Sequence, residues 1–432
     1  MSARDTNREI ALGKLFAPRN LALPRGITSV CSAHPLVIEA ALLSAARDGS
    51  ALLIEATCNQ VNQDGGYTGM TPADFRRFVE SCAARVAFPA ERIILGGDHL
   101  GPNPWRQLPA EEAMARAEAM IVAYVEAGFE KLHLDTSMGC AGEPAALNDE
   151  RTAERAARLA KVAEQTAARI GSTPPVYVIG TEVPPPGGAT HALDGIEVTR
   201  PEAARKTMAV HEAAFRAAGV EPALERVIAI VVQPGVEFGN ANVVLYQPEK
   251  ATGLIQVLDD LPGLLFEAHS TDYQPTAKLA GLVDGGFAIL KVGPGLTFAL
   301  REALYGLDAI RGVLGGSNET ESLSALLEAR MLAMPHHWSG HYGGSSEAQR
   351  LQRHFSYSDR IRYYWPDPAV AGAVDRLFSD LPAAIPETLI SQYLARLYPE
   401  VLAGRVAPSP RDLCLAAIDS ALLPYSQATM RR

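Results

Sequence analysis

Eight short apolar, β-branched runs recur along the chain, each ending in polar residues and each followed by a helix-compatible stretch. They are residues 28–34 (TSVCSAH), 51–56 (ALLIEA), 92–100 (RIILGGDHL), 131–137 (KLHLDTS), 176–183 (VYVIGTEV), 227–233 (VIAIVVQ), 264–270 (LLFEAHS) and 287–293 (FAILKVG). Between them lie Ala-rich charged segments such as 110–128 and 199–219, whose apolar residues recur at helical spacing and which stop at a glycine. Continuous apolar strands alternating with helices imply a parallel sheet buried on both faces, and eight such units are what a closed (β/α)8 barrel needs. An α/β class TIM barrel is therefore expected over roughly residues 20 to 310, with an N-terminal helical segment included in a 1–310 unit. The alternation stops there, and residues 311–432 read as a mainly helical C-terminal extension packed on the barrel, broken at Pro366, Pro368, Pro382 and Pro386.

Charge and composition narrow the function classes. The 432 residues carry 39 Lys plus Arg against 49 Asp plus Glu, a formal charge of −10, with no long basic run. That balance argues against nucleic acid or an anionic membrane surface as partner. No apolar run reaches the roughly 18 to 20 residues of a membrane span, and the N-terminus has no export signal pattern. Cys31, Cys58, Cys82, Cys140 and Cys414 are scattered without a CxxC pair, which fits reduced cytoplasm and no disulfide framework.

In such a barrel the active site lies at the C-terminal ends of the strands. Those ends are crowded with titratable groups: Cys31 and His34, Glu55, Asp98 and His99, His133 and Asp135, Glu182, Glu267, His269 and Asp272, and Lys291. A purely structural barrel would not place a carboxylate or imidazole at nearly every strand end, because each is costly to desolvate without a partner. In GGDHLGP (96–102) an Asp–His pair can supply a base and a metal ligand side by side, although an isolated pair also reads as a turn cap beside a core histidine. Glu182 and His269 strengthen the metal reading, giving His99, Glu182 and His269 as expected ligands of a divalent ion, Zn, Mn or Mg. His133 reads as a layer residue inside the barrel, and Asp135, nearer the strand end, as the better catalytic candidate with Asp98, Glu55 and Asp272.

An anionic substrate needs a local positive site. Lys291, with Gly293 and Gly295 opening a helix, fits one, with Ser270 beside it, and the loop 59–72 (NQVNQDGGYTGMTP) adds Asn59 and Gln60 as substrate-binding candidates. Arg360 and Arg362 read as surface arginines unless the extension folds over the barrel mouth. His336, His337 and His341 resemble a ligand pattern but sit in a Trp- and Gly-rich segment. No phosphate-binding G-x-x-x-x-G-K-[ST] loop, dinucleotide fingerprint or G-x-S-x-G elbow occurs, so no nucleotide cofactor is expected.

The motifs CSAHPLVIEAA, LLIEATCNQVNQDGGYTGMTPADF, ILGGDHLGPNPW, KLHLDTSM, YVIGTEVPPPGGA, VVQPGVEF, FEAHSTDYQ, LKVGPGLTFALREAL and SYSDRIRYYWPD together resemble the GatZ/KbaZ family of D-tagatose-1,6-bisphosphate aldolase subunits, at times labelled tagatose 6-phosphate kinases. The resemblance runs from about Ile27 into the C-terminal extension. It implies a TIM-barrel protein of tagatose or galactitol catabolism, acting on a ketohexose phosphate and assembling as an oligomer. Two roles stay open: an accessory subunit to a class II aldolase chain, or a self-sufficient metal-dependent tagatose 6-phosphate/fructose 6-phosphate 4-epimerase. The kinase label conflicts with the missing phosphate loop. For an epimerase, the expected chemistry is removal of the C4 hydroxyl proton by Asp98 or Asp135, cleavage of C3–C4 and re-addition from the other face.

Overall fold

All eight apolar runs become strands of one closed parallel barrel. The structure is a computed structural model and describes residues 3–16, 22–181, 196–315 and 322–430. The barrel strands are β1 (Ile27–Cys31), β2 (Leu52–Thr57), β3 (Ile93–Leu100), β4 (Lys131–Leu134), β5 (Val176–Ile179), β6 (Val227–Val231), β9 (Leu265–Ala268) and β10 (Ile289–Val292). A short antiparallel hairpin, β7 (Glu237–Phe238) with β8 (Val243–Val244), interrupts the series after β6. Closure comes from β1, which pairs with both β2 and β10. Every residue of β3, β4, β5, β6, β9 and β10 is buried, as strands covered on both faces require.

Local chemistry sets the helices between the strands. The segments expected at 110–128 and 199–219 are helical over Ala110–Glu126 and Pro201–Ala217. The loop after β2 is stopped by a reciprocal cap: the Asp74 amide donates to the Thr71 hydroxyl at 3.3 Å, and the Thr71 amide donates to the Asp74 carboxylate at 3.1 Å.

Two terminal segments close the barrel. The helix Ala3–Phe16 lays Ala11, Leu12, Leu15 and Phe16 against Ile27, Leu53, Ile94, Val176, Leu265 and Ile289, plugging the bottom with apolar side chains. At the other end of the chain, the helix Pro410–Thr429 packs between the barrel helices Pro35–Asp48, Thr276–Asp284 and Pro294–Val313. The Arg25 and Gly26 amides donate to the Thr429 carbonyl at 3.0 and 3.3 Å, so the last helix is tied to the approach of the first strand. The region after the barrel is helical, and no described helix is long and apolar enough to cross a membrane.

Candidate active site

The upper half of the barrel interior is ionic. Lys131 Nζ lies 2.6 Å from Glu55 Oε1 and 2.8 Å from Glu267 Oε2, all three side chains fully buried. Lys291 Nζ contacts Glu55, lies 2.8 Å from Asp98 Oδ1 and 3.5 Å from Glu267 Oε1. Gly96 makes the first of these bridges possible: it is in register with Glu55 on one side and Lys131 on the other, and a Cβ there would lie 2.7 Å from Glu55 Cγ.

Above this layer the imidazoles of His99, His133 and His269 form a triangle, with ring centroids 5.0, 4.9 and 5.2 Å apart. Consecutive strand residues point to opposite faces, so Asp98 and His99 would not both reach this triangle from a regular strand. The register of β3 against β4 shifts between Gly97 and Leu100, and His99 adopts a left-handed φ of 50°. This bulge turns both side chains into the mouth. Its geometry depends on Gly101, where a Cβ would fall 1.7 Å from the Asp135 carbonyl oxygen.

Hydrogen bonds link the two layers. His133 Nδ1 is 2.8 Å from Asp98 Oδ1, His269 Nε2 is 3.0 Å from Glu267 Oε1, and His99 Nδ1 is 2.7 Å from Asp135 Oδ2. Ser137 donates its hydroxyl to Asp135 Oδ1 at 2.7 Å. Burial works to raise the Asp98 carboxyl, but His99, Lys291 and the His133 bond hold it well below the usual range. Burial likewise opposes charge on Glu267, and Lys131 and Lys291 overcome it. Burial pushes His269 down to about 4, a neutral imidazole at physiological pH. For His99 the same desolvation is outweighed by Asp98 and Asp135, and its pKa is raised.

The donor set fits a metal ion. One ligand atom from each of Asp98, His99, His133 and His269 lies within 4.8 Å of the others, and His133 Nε2 is buried with no hydrogen-bond partner among the described residues. Among the described residues the buried carboxylates Glu55, Asp98 and Glu267 share Lys131 and Lys291, and Asp135 is matched by the His99 imidazole, so the cluster carries more acids than ammonium groups and can accept a cation. Three imidazoles and a carboxylate suit Zn better than Mg.

The mouth opens into a cavity of about 980 Å³ lined by Cys31, His34, Asn59, Gln60, Asp98, His99, His269, Ser270, Asp272 and Lys291 from the barrel and by Arg362, Tyr363 and Trp365 from the C-terminal region. Asp272 Oδ1 accepts from the amides of Gly293 and Gly295 at 3.0 and 2.7 Å. Even so, burial raises its carboxyl to about 6.

With this geometry in view, the comparisons with known proteins are direct. The family model described as "D-tagatose-1,6-bisphosphate aldolase subunit GatZ/KbaZ-like" matches residues 12–430. The chain belongs to the GatZ/KbaZ-like family. It is 55% identical over 419 residues, 97% of this chain and 98% of the relative, to a D-tagatose 6-phosphate 4-epimerase of Agrobacterium fabrum. A crystal structure from Sinorhizobium meliloti 1021, described as a probable tagatose 6 phosphate kinase, superimposes with a TM-score of 0.87 at 61% identity, covering 93% of this chain and 100% of that one.

Set against the sequence expectations, this GatZ/KbaZ-like barrel brings Glu55, Asp98, His99, Asp135, His269 and Lys291 into one connected cluster. Glu182 lies outside the described residues. His133, read from sequence as a layer residue inside the barrel, is fully buried there and also belongs to the candidate metal group, and Lys131 is a buried cation that the sequence reading leaves out. The signal for both was available: Lys131, His133 and Asp135 alternate along one strand and its end, and a buried lysine inside an apolar run demands carboxylate partners. Lys291 is surrounded by three carboxylates, and the amides of Gly293 and Gly295 are given to Asp272, so the anion expected there meets groups already engaged.

Arg360 and Arg362 are not surface arginines. The segment 356–365 folds over the mouth: Tyr273 donates its hydroxyl to the Tyr357 carbonyl at 2.7 Å, Asp359 is held by Thr297 at 2.8 Å and Arg301 at 3.2 Å, and Arg360 is 6% exposed. Tyr363 meets Tyr67 of the β2 loop at 4.6 Å, and Trp365 meets His34 at 5.9 Å. His337 stacks on Tyr363 with centroids 4.8 Å apart, and neither it, His336 nor His341 joins a metal-binding group among the described residues.

Proposed function

We propose that this chain is a self-sufficient metal-dependent 4-epimerase interconverting tagatose 6-phosphate and fructose 6-phosphate. The observation that carries the reading is that one chain supplies the whole cluster of imidazoles, carboxylates and ammonium groups to a single cavity. The likeness to a D-tagatose 6-phosphate 4-epimerase supports the same choice.

Asp98, His99, His133 and His269 would hold the divalent ion, which when bound supplies Lewis-acid stabilisation of negative charge on substrate oxygens. Lys131 and Lys291 hold Glu55, Glu267 and Asp98 in place as buried carboxylates. Asp272, poised near 6 and lining the cavity, takes the C4 hydroxyl proton. The C3–C4 bond then breaks, its electron pair staying with C3 and the adjacent carbonyl, and C4 becomes an aldehyde. The aldehyde fragment turns its other face to C3, the bond re-forms, and protonated Asp272 returns the proton to O4. Atoms and charge balance without any co-substrate.

A second reading, an accessory subunit of a class II aldolase, draws on the family description. Purified chain alone, assayed with Zn²⁺, Mn²⁺, Mg²⁺ or chelator on tagatose 6-phosphate and tagatose 1,6-bisphosphate, separates the two. Metal-dependent formation of fructose 6-phosphate is expected. A folded, metal-loaded chain that turns over neither sugar sinks the epimerase and leaves the subunit.

A further inference from the structure

Among the described residues four lysine or arginine side chains line the mouth cavity: Arg85, Lys291, Arg362 and Arg411. Three are committed. Arg85 and Arg411 both bind the buried Glu39 carboxylate, and Lys291 is surrounded by Glu55, Asp98 and Glu267. Arg362 pairs with no carboxylate side chain among the described residues. Its guanidinium donates instead to the Asp359 carbonyl at 2.9 Å and to the Tyr363 hydroxyl at 3.1 Å, contacts that fix its direction without neutralising it. The Asp359 carboxylate is turned to Thr297 and Arg301. A half-buried, oriented guanidinium that lines a cavity, with no carboxylate within ion-pair distance among the described residues and only the more distant charges of Asp359 and Asp272 acting on it, is ready to receive an anion.

Its surroundings suit a phosphate. Tyr67 and Tyr363 meet in an edge contact beside it, and Asn59 and Gln60 line the same cavity from the β2 loop. The helix-opening amides that would offer an alternative anion site are held by Asp272. Residues 182–195 contain no lysine or arginine, so that stretch of sequence adds no second cation.

We infer that Arg362, delivered by the segment that crosses the mouth, binds the single phosphate of the substrate and fits the site to a ketohexose monophosphate instead of a bisphosphate. The inference rests on the epimerase reading and sharpens it. Cleavage at C3–C4 of a ketose 6-phosphate leaves the phosphate on the aldehyde fragment, the piece that must rotate without escaping. Arg362 is then the tether for that fragment, and the remaining three-carbon piece stays at the metal-cluster end.

The test compares wild type with Arg362→Gln and Arg362→Lys on tagatose 6-phosphate, tagatose 1,6-bisphosphate and unphosphorylated tagatose. Three quantities are read: the dissociation constant of each sugar by calorimetry, KM against kcat, and release of free triose phosphate aldehyde. Arg362→Gln is expected to weaken tagatose 6-phosphate binding roughly 10- to 100-fold, leave tagatose within about twofold, and raise the fraction of turnovers that leak aldehyde, with Arg362→Lys recovering part of each. Wild type is expected to bind the bisphosphate no more tightly than the monophosphate. Equal losses on tagatose and tagatose 6-phosphate, or unchanged binding of the phosphorylated sugar, overturn the assignment. Because calorimetry reads binding without turnover, a chain that binds tagatose 6-phosphate through Arg362 but does not epimerise it would refute the proposed function and keep the anchor.

Discussion

Leu53 and Glu55 stand two residues apart on β2, as do Leu265 and Glu267 on β9 and Ile289 and Lys291 on β10, and each pair shares the inner face of the barrel. The lower members join an apolar layer sealed by the Ala3–Phe16 helix. The upper members form a closed ionic network beneath three imidazoles. One turn of the pleat therefore separates side chains whose burial favours folding from side chains whose burial opposes it. The lower half explains why the barrel holds together, and the upper half is affordable because of it.

That contrast yields predictions in descending order of effect. His133→Ala removes a member of the metal group from the upper half, so activity and bound metal should both fall below detection while far-ultraviolet circular dichroism stays that of the barrel. Unaltered metal content in that variant would place the ion elsewhere.

Asp272→Asn should lower kcat by about 10²- to 10⁴-fold, the usual range for a missing proton-transfer group. A base works when deprotonated, so wild-type kcat/KM should climb as pH rises through about 6 and level off above it. The variant should lack that limb. A wild-type limb that survives in Asp272→Asn assigns the proton transfer to another carboxylate.

Lys131→Met leaves Glu55 and Glu267 to share Lys291 alone and should cost about 3–5 kcal/mol in denaturant unfolding. Leu12→Ala in the plug should cost about 2–5 kcal/mol. Only the first should also change metal affinity or kcat. If Leu12→Ala weakened catalysis as much as Asp272→Asn, the two halves would not be separable.

The eight strands were legible because a parallel strand covered on both faces has no polar alternation to hide it, and the loop positions followed from them. Residues at the strand ends could be grouped on one rim for the same reason. What the residues themselves did not reveal is how Lys131 is satisfied, since its partners Glu55 and Glu267 are distant in sequence and meet only on closure of the ring. The bulge at His99 was equally hidden, because a period-two reading puts Asp98 and His99 on opposite faces. Arg362 reaches the mouth only because Asp359, Tyr357 and Trp365 find partners on the barrel, contacts that no local pattern encodes.

The helix Pro410–Thr429 carries a consequence for biosynthesis. A ribosome has produced every barrel strand by Val292, yet the side chains that cover the seam between the first and last barrel helices, Leu413, Cys414, Ile418, Leu422 and Tyr425, emerge only after the intervening helical region. Until then the faces of Pro35–Asp48 and Pro294–Val313 that receive them stay open to solvent. Native closure thus waits for this helix, and a premature stop upstream of Pro410 would release a chain with an apolar groove for chaperones and proteases to find.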